Sequence, residues 1–165
     1  MIDRDKIYNK IIKILNDNQA TYKIFSHKAA FTYDELRFAQ EEVGFIGIEG
    51  KCLVVKKDDG FVVCVTIQGK KLNFSKLKEI LSDKDLRLAK PEELKEYFGA
   101  EPGCAYPFGF DESIKIYVDP TIYDQEWFLF SPLFATKTIQ VRGSGLRRIF
   151  FNLKNKTVMN REIFI

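Results

Sequence analysis

The sequence predicts one α+β domain in which a mixed β-sheet is surrounded by helices. The length of 165 residues suits a single domain. No repeat or Pro-, Gly- or Ser-rich linker divides the chain, and strand-like and helix-like segments are mixed without a regular strand–helix–strand order. Apolar residues make up 45% and charged residues 30%, as in ordinary globular proteins. We therefore treat residues 1–165 as one compact domain.

A helix, a strand and a second helix are predicted near the start of the chain. Apolar residues at helical spacing predict a helix over 3–16, with Asp3 as its N-cap. The short apolar run 22–25 is typical of a strand. Thr32 then begins a second helix, because Glu35 follows at the spacing of a capping box.

The strongest local signal is a β-hairpin. The β-rich runs 51–57 and 61–67 are separated by Asp58-Asp59-Gly60, which is typical of a tight turn between antiparallel strands. A helix capped by Asn73 is predicted next, and another helix follows with Pro91 in its first turn.

The last third of the chain predicts three strands and one helix. Gly99 ends the preceding helix, and the Gly- and Pro-containing loop 100–109 follows it. The strands are predicted at 114–118, 127–130 and 137–141, and Ser144 is predicted to cap the final helix.

Basic residues are concentrated near the C-terminal end. Seven of the 26 Lys and Arg residues lie between positions 137 and 161, where there is no Asp or Glu. Such a strip can neutralise phosphates and steer a polyanion toward the protein, or it can be an ordinary solvated surface. Charge alone leaves both interpretations open.

Composition argues against several classes of protein. No stretch reaches the roughly 18 consecutive apolar residues of a membrane span, and the first residues lack a secretory signal. Three cysteines without CxxC spacing and one histidine do not predict a zinc site or a disulfide framework. Walker A, dinucleotide and nucleophile-elbow motifs are also missing. We expect a cytoplasmic protein with no cofactor, no metal and no membrane partner.

Two features have the chemistry of a binding site. The loop 101–109 is the most unusual segment, because Gly103 permits a backbone closed to other residues and Pro107 fixes the exit of the loop. Such a loop can present N–H groups to a carbonyl or phosphate oxygen, although Gly- and Pro-rich surface loops are common. Lys51, at the mouth of an apolar strand, can bind such an oxygen or simply extend into solvent.

A rival mechanism rests on Cys104. This cysteine lies inside the glycine loop and could be a nucleophile activated by His27, the only histidine. Either residue could instead have a purely structural role. A thiol hydrolase of this kind predicts that Cys104→Ala abolishes activity.

Taken in order, these segments resemble the YbaK/prolyl-tRNA-synthetase-associated family over about residues 22–149. The predicted helix 3–16 and the basic segment 144–165 would flank the match. The matching pieces are His27 with Thr32 and Glu35, Lys51-Cys-Leu, Ala89-Lys-Pro-Glu-Glu-Leu before Gly99, Pro102-Gly-Cys-Ala-Tyr-Pro107-Phe, and a strand ending at Asp119-Pro120.

The resemblance implies an aminoacyl-tRNA deacylase, since family members hydrolyse the ester between a wrong amino acid and its tRNA. It implies that Lys51 binds near the 3′ CCA end and that the Gly103 backbone holds the substrate carbonyl, with no metal and no enzyme nucleophile. An aminoacyl-tRNA synthetase is a further candidate partner. Substrate contacts are expected from His27, Thr32, Cys104, Ala105, Pro107, Ser131, Phe134 and Thr136. Contacts with the tRNA body are expected from Arg142, Arg147 and Arg148.

One segment departs from the family. Prolyl-editing members have His-Pro-Leu-x-Asn where this chain has Ser131-Pro-Leu-Phe-Ala135. A serine at the first position is closer to the YbaK branch, which removes cysteine, but the glycines that follow there are missing. The amino acid that is removed therefore stays open. A non-catalytic tRNA- or synthetase-binding module of the same fold is the main alternative, and it would bind charged tRNA without accelerating ester loss.

Overall fold

The structure, a computed structural model, describes residues 2–165. The helices are α1 (Arg4–Asp17), α2 (Tyr33–Val43), α3 (Phe74–Leu81), α4 (Pro91–Phe98) and α5 (Gly143–Asn152). The strands are β1 (Tyr22–Ser26), β2 (Ile48–Lys57), β3 (Gly60–Ile67), β4 (Arg87–Leu88), β5 (Lys115–Val118), β6 (Trp127–Phe130), β7 (Lys137–Arg142) and β8 (Thr157–Met159). One 3₁₀ helix spans Pro120–Asp124.

The strands form one mixed sheet of eight, which confirms the predicted α+β class. Seven strands follow the order β1-β7-β6-β2-β3-β5-β8, and β4 pairs with β2. The hairpin of β2 and β3 is antiparallel, as are β1 with β7 and β6 with β7. Parallel pairing joins β2 to β6, β3 to β5 and β5 to β8. The hairpin is therefore at the centre of the sheet, with β6 and β5 on its two sides.

The predicted helix starts at Asp3, Thr32 and Asn73 are confirmed. The side chain of each accepts a hydrogen bond from the backbone N–H three residues later, at 3.1 to 3.2 Å. Each bond satisfies a backbone donor that the first turn of a helix leaves unpaired. The predicted hairpin turn is also confirmed, with Lys57 paired to Gly60 across it.

The predicted cap at Ser144 is wrong, because α5 begins at Gly143 with Arg142 in the cap position. In the part of the chain that the structure describes, no side-chain hydrogen bond caps this helix. Close packing sets its start: a Cβ atom on Gly143 would lie 2.1 Å from the Gln125 carbonyl oxygen. β4, β8 and the 3₁₀ helix were not predicted, and strands of two or three residues are too short to show an alternating pattern.

The main core lies on one face of the sheet, under α1, α4 and α5. Phe108 is fully buried there, with its ring 5.6 Å from that of Phe130 and 6.0 Å from that of Phe150. Tyr106 stacks on Phe110 at 4.6 Å and donates its hydroxyl to the Phe98 carbonyl at 2.9 Å. The glycine loop is therefore anchored by its own aromatic side chains.

Smaller clusters cover the opposite face. Leu77 of α3 is fully buried against the hairpin, next to Val55 and Val62. Ala39 of α2 packs with Leu129 of β6. Among residues 2–165, no helix combines the length and the apolar character needed to cross a membrane.

The two glycines at the start of α5 provide a matched test of this packing. Gly143→Ala should destabilise the protein by about 1–3 kcal/mol, because the added methyl group meets the Gln125 carbonyl. Gly145→Ala should stabilise it by about 0.4–1 kcal/mol, since nothing lies within 4 Å and alanine favours the helix. Urea unfolding measures both, and equal effects would contradict this account of the helix start.

Candidate functional site

A cleft of about 290 Å³ opens at the edge of β2. It passes from one face of the sheet to the other, because its walls come from α2 on one side and from α4 and the glycine loop on the other. Its floor is the stretch Gly50–Val54. The lining is mostly apolar, and its polar side chains are Thr32, Tyr33, Glu49, Lys51, Cys52 and Ser131.

The cleft exists because β2 lacks a neighbour along part of one edge. β6 pairs only with Ile48 and Glu49, and β4 pairs only with Val55 and Lys56. In an antiparallel pair, the backbone N–H and C=O groups of successive residues point alternately toward and away from the partner strand. Those of Cys52 point away from β3, into the gap between β6 and β4. The floor of the cleft is therefore an open strand edge that can exchange hydrogen bonds with a ligand.

Lys51 lines the cleft and has a defined position. Its ammonium group donates to the Lys70 carbonyl at 2.6 Å. Lys70 itself forms an ion pair with the buried Asp119 at 2.9 Å. Burial opposes the ionisation of Asp119, but hydrogen bonds from Thr121, Lys70 and Thr66 hold its pKa below the usual range. An ammonium group has three donors, so Lys51 keeps two for a ligand.

The glycine loop comes close to the segment before α2. Gly103 has φ of +76°, and a Cβ atom there would lie 2.8 Å from the Phe31 carbonyl oxygen. The turn is closed by the Cys104 N–H, which donates to the Glu101 carbonyl at 3.0 Å. Neither the Gly103 nor the Ala105 N–H donates to another group within residues 2–165. Two backbone donors at the cleft are thus free for an oxygen atom of a ligand.

Glu101 joins the glycine loop to the segment that contains Ser131. Its carboxylate accepts the Ala135 N–H at 2.7 Å, and its own N–H donates to the Leu133 carbonyl at 3.0 Å. Arg4 of α1 binds the same carboxylate at 3.3 Å. These bonds hold the glycine loop beside the segment 131–135.

The structure brings together five of the residues predicted from the sequence. Thr32, Lys51, Gly103, Ala105 and Ser131 all line the cleft. Thr32 also caps α2, which fixes the position of that wall.

Other predicted residues lie outside the cleft. Phe134 packs against Tyr8 and beneath the guanidinium group of Arg4, at 4.3 Å. Thr136 is exposed, and Pro107 is buried in the body of the loop. The structure therefore separates these three residues from the cleft.

His27 and Cys104 do not form a catalytic pair. The His27 ring binds the Thr138 hydroxyl at 2.8 Å and the Lys28 carbonyl at 2.7 Å, and it packs on Phe45. Cys104 is fully buried. Burial, and next the charge of Glu101, raises the pKa of the Cys104 thiol to about 12. A thiol of this kind is protonated at neutral pH and is a poor nucleophile.

The three arginines predicted to bind tRNA lie at the other end of β7 and on α5. Arg142 pairs with Glu126 at 3.3 Å and lies over the Trp127 ring. The guanidinium group of Arg147 lies 4.5 Å from the centre of the Tyr123 ring. Arg148 donates to the side chain of Gln19 at 3.0 Å. All three arginines are exposed.

Several lining residues were missed from the sequence. Glu49 lies two positions before Lys51 in β2, so that the alternation of a strand places both side chains on one face. This spacing could have identified it. No sequence pattern could have identified the other lining residues Phe31, Tyr33 and Leu88. Their positions at the cleft depend on how α2 and β4 pack against β2.

Three carboxylates elsewhere lie within 4.8 Å of one another, those of Asp58, Asp83 and Asp85. Asp83 uses its oxygens to accept the N–H groups of Asp58 at 2.9 Å and Asp85 at 2.8 Å. This cluster braces the hairpin turn and is separate from the cleft.

Comparison with known proteins bears on this site. The family model of the aminoacyl-tRNA editing domain matches residues 27–149, which include every residue of the cleft.

Curated relatives of this chain are proline–tRNA ligases. That of Caldicellulosiruptor bescii is 36% identical over 88 residues, covering 51% of this chain and 15% of the ligase. That of Kosmotoga olearia is 30% identical over 121 residues, covering 65% of this chain and 21% of the ligase. The chain thus matches only a small part of these relatives.

Two solved structures share the fold over almost the whole chain. A candidate trans-editing enzyme for prolyl-tRNA synthetase superposes with a TM-score of 0.69 at 16% identity, covering 93% of this chain and 95% of that one. The hypothetical protein APE2540 superposes with a TM-score of 0.72 at 20% identity, covering 92% and 97%. At such identities the likeness shows the fold alone.

The state of Cys104 can be tested directly. Burial keeps the Cys104 thiol protonated at pH 8 and its sulfur out of reach of reagents, so iodoacetamide should leave Cys104 unmodified in the native protein. The same protein in urea should be alkylated at the rate of an ordinary thiol. Mass spectrometry of the Cys104 peptide measures both rates. Rapid alkylation of the native protein would revive a thiol mechanism.

Proposed function

The chain belongs to the aminoacyl-tRNA editing domain family, and from this premise we propose that it hydrolyses the ester bond of mischarged aminoacyl-tRNA. The observation that carries the proposal is that one cleft is lined by Lys51 and by Gly103 and Ala105, whose N–H groups donate to no other group within residues 2–165. The likeness to proline–tRNA ligases favours tRNA-Pro or a related tRNA as the substrate. We place this activity in the cytoplasm, where charged tRNA is used.

The proposed substrate position follows from the charges. The phosphate before the terminal adenosine would bind the two remaining donors of Lys51. The ester carbonyl would face the N–H groups of Gly103 and Ala105. Because these donors belong to an anchored loop, they need no rearrangement as negative charge develops on the carbonyl oxygen. One preorganised donor of this kind commonly contributes about 2.7–4 kcal/mol to the transition state.

The proposed reaction uses water as the nucleophile. The water oxygen attacks the ester carbonyl carbon, and the carbonyl oxygen takes up negative charge that the loop N–H groups stabilise. The bond from this carbon to the tRNA oxygen then breaks, and that oxygen leaves as a hydroxyl group with the proton of the attacking water. The products are the free amino acid and uncharged tRNA. The buried Cys104 and the engaged His27 take no part in these steps.

The acyl group would lie against an apolar wall that includes Leu36, Leu94 and Phe130. A binding site distinguishes one methylene group by only about 1–3 kcal/mol, so a synthetase cannot reject small competitors by binding alone. A cleft of about 290 Å³ would then act as a second sieve that accepts only small acyl groups. Ser131 would be the polar group beside the acyl chain.

Contacts with the tRNA body stay a prediction. Arg142, Arg147 and Arg148 are exposed and could bind phosphates, although they lie at the far end of β7 and on α5. We include them in the proposal as contacts with a part of tRNA distant from the 3′ end. A synthetase that recruits the protein is a further candidate partner.

Replacing Lys51 tests the proposal. Lys51→Ala should abolish deacylation of mischarged tRNA, because the 3′ end loses its phosphate contact. Lys56→Ala is the matched control: this lysine of the same strand also donates to a backbone carbonyl, at 2.8 Å, but lies outside the cleft. Both variants should lose about 1 kcal/mol of stability or less. Turnover by folded Lys51→Ala at the wild-type rate would refute the assignment.

A second test uses Gly103. Gly103→Ala should lower the deacylation rate about a hundredfold, since the added methyl group meets the Phe31 carbonyl and moves the N–H donors. Gly44→Ala is the control, because Gly44 also has positive φ, +87°, but has nothing within 4 Å of the added carbon. Both changes carry the strain of a left-handed backbone, about 1–2 kcal/mol. Equal rates in the two variants would show that the loop does not hold the carbonyl.

A further inference from the structure

Glu49 is a charged side chain without a partner in the cleft. It lies on β2, on the same face as Lys51, and it lines the cleft. Within residues 2–165 its carboxylate accepts no hydrogen bond and forms no ion pair, whereas its backbone carbonyl accepts the Gln68 N–H at 2.8 Å. Tyr33 lines the same cleft. Burial raises the pKa of its phenol, and interactions with Cys52 and Glu49 raise it further.

The surroundings of Glu49 disfavour an isolated negative charge. Burial raises the pKa of its carboxyl group to about 7. A cation beside the carboxylate would reverse that effect, because an opposite charge within a few ångströms favours the ionised form. Glu49 is half-buried. Charged groups withdrawn from water are normally paired, so an unpaired carboxylate that lines a cleft indicates a place for a cationic ligand group.

Lys51 does not fill this role. Its ammonium group donates to the Lys70 carbonyl at 2.6 Å and forms no ion pair with Glu49. The cleft therefore offers a cation and an anion held separately on one strand face. A ligand that complements both has a negative group and a positive group separated by a short neutral linkage.

The aminoacylated end of tRNA has this arrangement. Its phosphate is anionic, its α-amino group is cationic near neutral pH, and the ribose and the ester lie between them. We propose that Glu49 binds the α-ammonium group of the aminoacyl substrate and thereby selects charged tRNA with a free α-amine over N-acylated forms such as peptidyl-tRNA. This inference rests on the proposed function for the identity of the ligand.

The selection has a simple physical basis. Acylation of the α-amine removes its positive charge and adds bulk, so an N-acylated substrate would leave the Glu49 carboxyl without a partner. No other side chain that lines the cleft can replace the negative charge of Glu49. The remaining polar side chains include those of Thr32, Cys52 and Ser131, which are neutral at neutral pH. Tyr33 also stays protonated there.

The test uses two amides that cannot be hydrolysed as esters: 3′-deoxy-3′-(L-alanylamino)adenosine and its N-acetyl derivative. Calorimetry at pH 7 should show that the wild-type protein binds the free amine about tenfold more tightly or better, as expected for a hydrogen bond between charged groups. Glu49→Gln should bring the two affinities within about twofold, by weakening only the binding of the free amine.

Glu42→Gln is the matched control, because it removes the same charge from an exposed position on α2 and should keep the full preference. Glu49→Gln should fold at least as stably as the wild type, since the carboxyl group that it replaces has no partner among residues 2–165. A preference that persists in Glu49→Gln would overturn the proposal. So would equal affinities in the wild type, or no binding of either compound.

The readout is independent of catalysis. A protein that shows the Glu49-dependent preference but does not hydrolyse mischarged tRNA would refute the proposed hydrolysis and support amine recognition. A protein that hydrolyses mischarged tRNA and its N-acetylated form equally well would support the hydrolysis and refute the role of Glu49.

Discussion

The short pairing between β2 and β6 is the constraint on which the site depends. These strands share only two residue pairs, at Ile48 and Glu49, before β6 ends and the chain turns away at Ser131. Farther along, this edge of β2 is paired by β4, at Val55 and Lys56. The backbone groups of Cys52 between these partners need other hydrogen-bonding groups, since unpaired backbone groups are costly away from water. A ligand or solvent in the cleft can provide them.

The glycine loop is rigid because its aromatic side chains are part of the core. Tyr106, Phe108 and Phe110 are nearly or fully buried, so the backbone between them and Gly103 cannot move without disturbing the core. These three aromatic residues therefore anchor the loop in the core. Glu101 adds a second fixed point by binding Arg4 and the Ala135 N–H. Free N–H groups on such a loop are preorganised donors, which is what stabilisation of a developing oxyanion requires.

Charges in and near the cleft are held by separate groups. Asp119 fixes Lys70, and the Lys70 carbonyl fixes the ammonium group of Lys51. Within residues 2–165 the Glu49 carboxylate has no such partner. We infer that the charges of Asp119 and Lys70 belong to the framework, whereas that of Glu49 is available to a ligand. The same distinction applies to His27 and Cys104: an imidazole with both nitrogens engaged and a buried thiol act as structural groups.

The sequence by itself determined the helix caps at Asp3, Thr32 and Asn73, the hairpin, and most strands and helices, because these features depend on neighbouring residues. The order of its motifs also singled out Lys51 and Gly103, whose roles stay predictions. Only the tertiary structure decided which side chains share the cleft. Phe134 turns toward Arg4, while Glu49 enters the lining. β4 and β8 also form only through distant partners. The reason is physical: the approach of two loops or two strands is set by pairing and packing between segments far apart in the chain, which local patterns do not record.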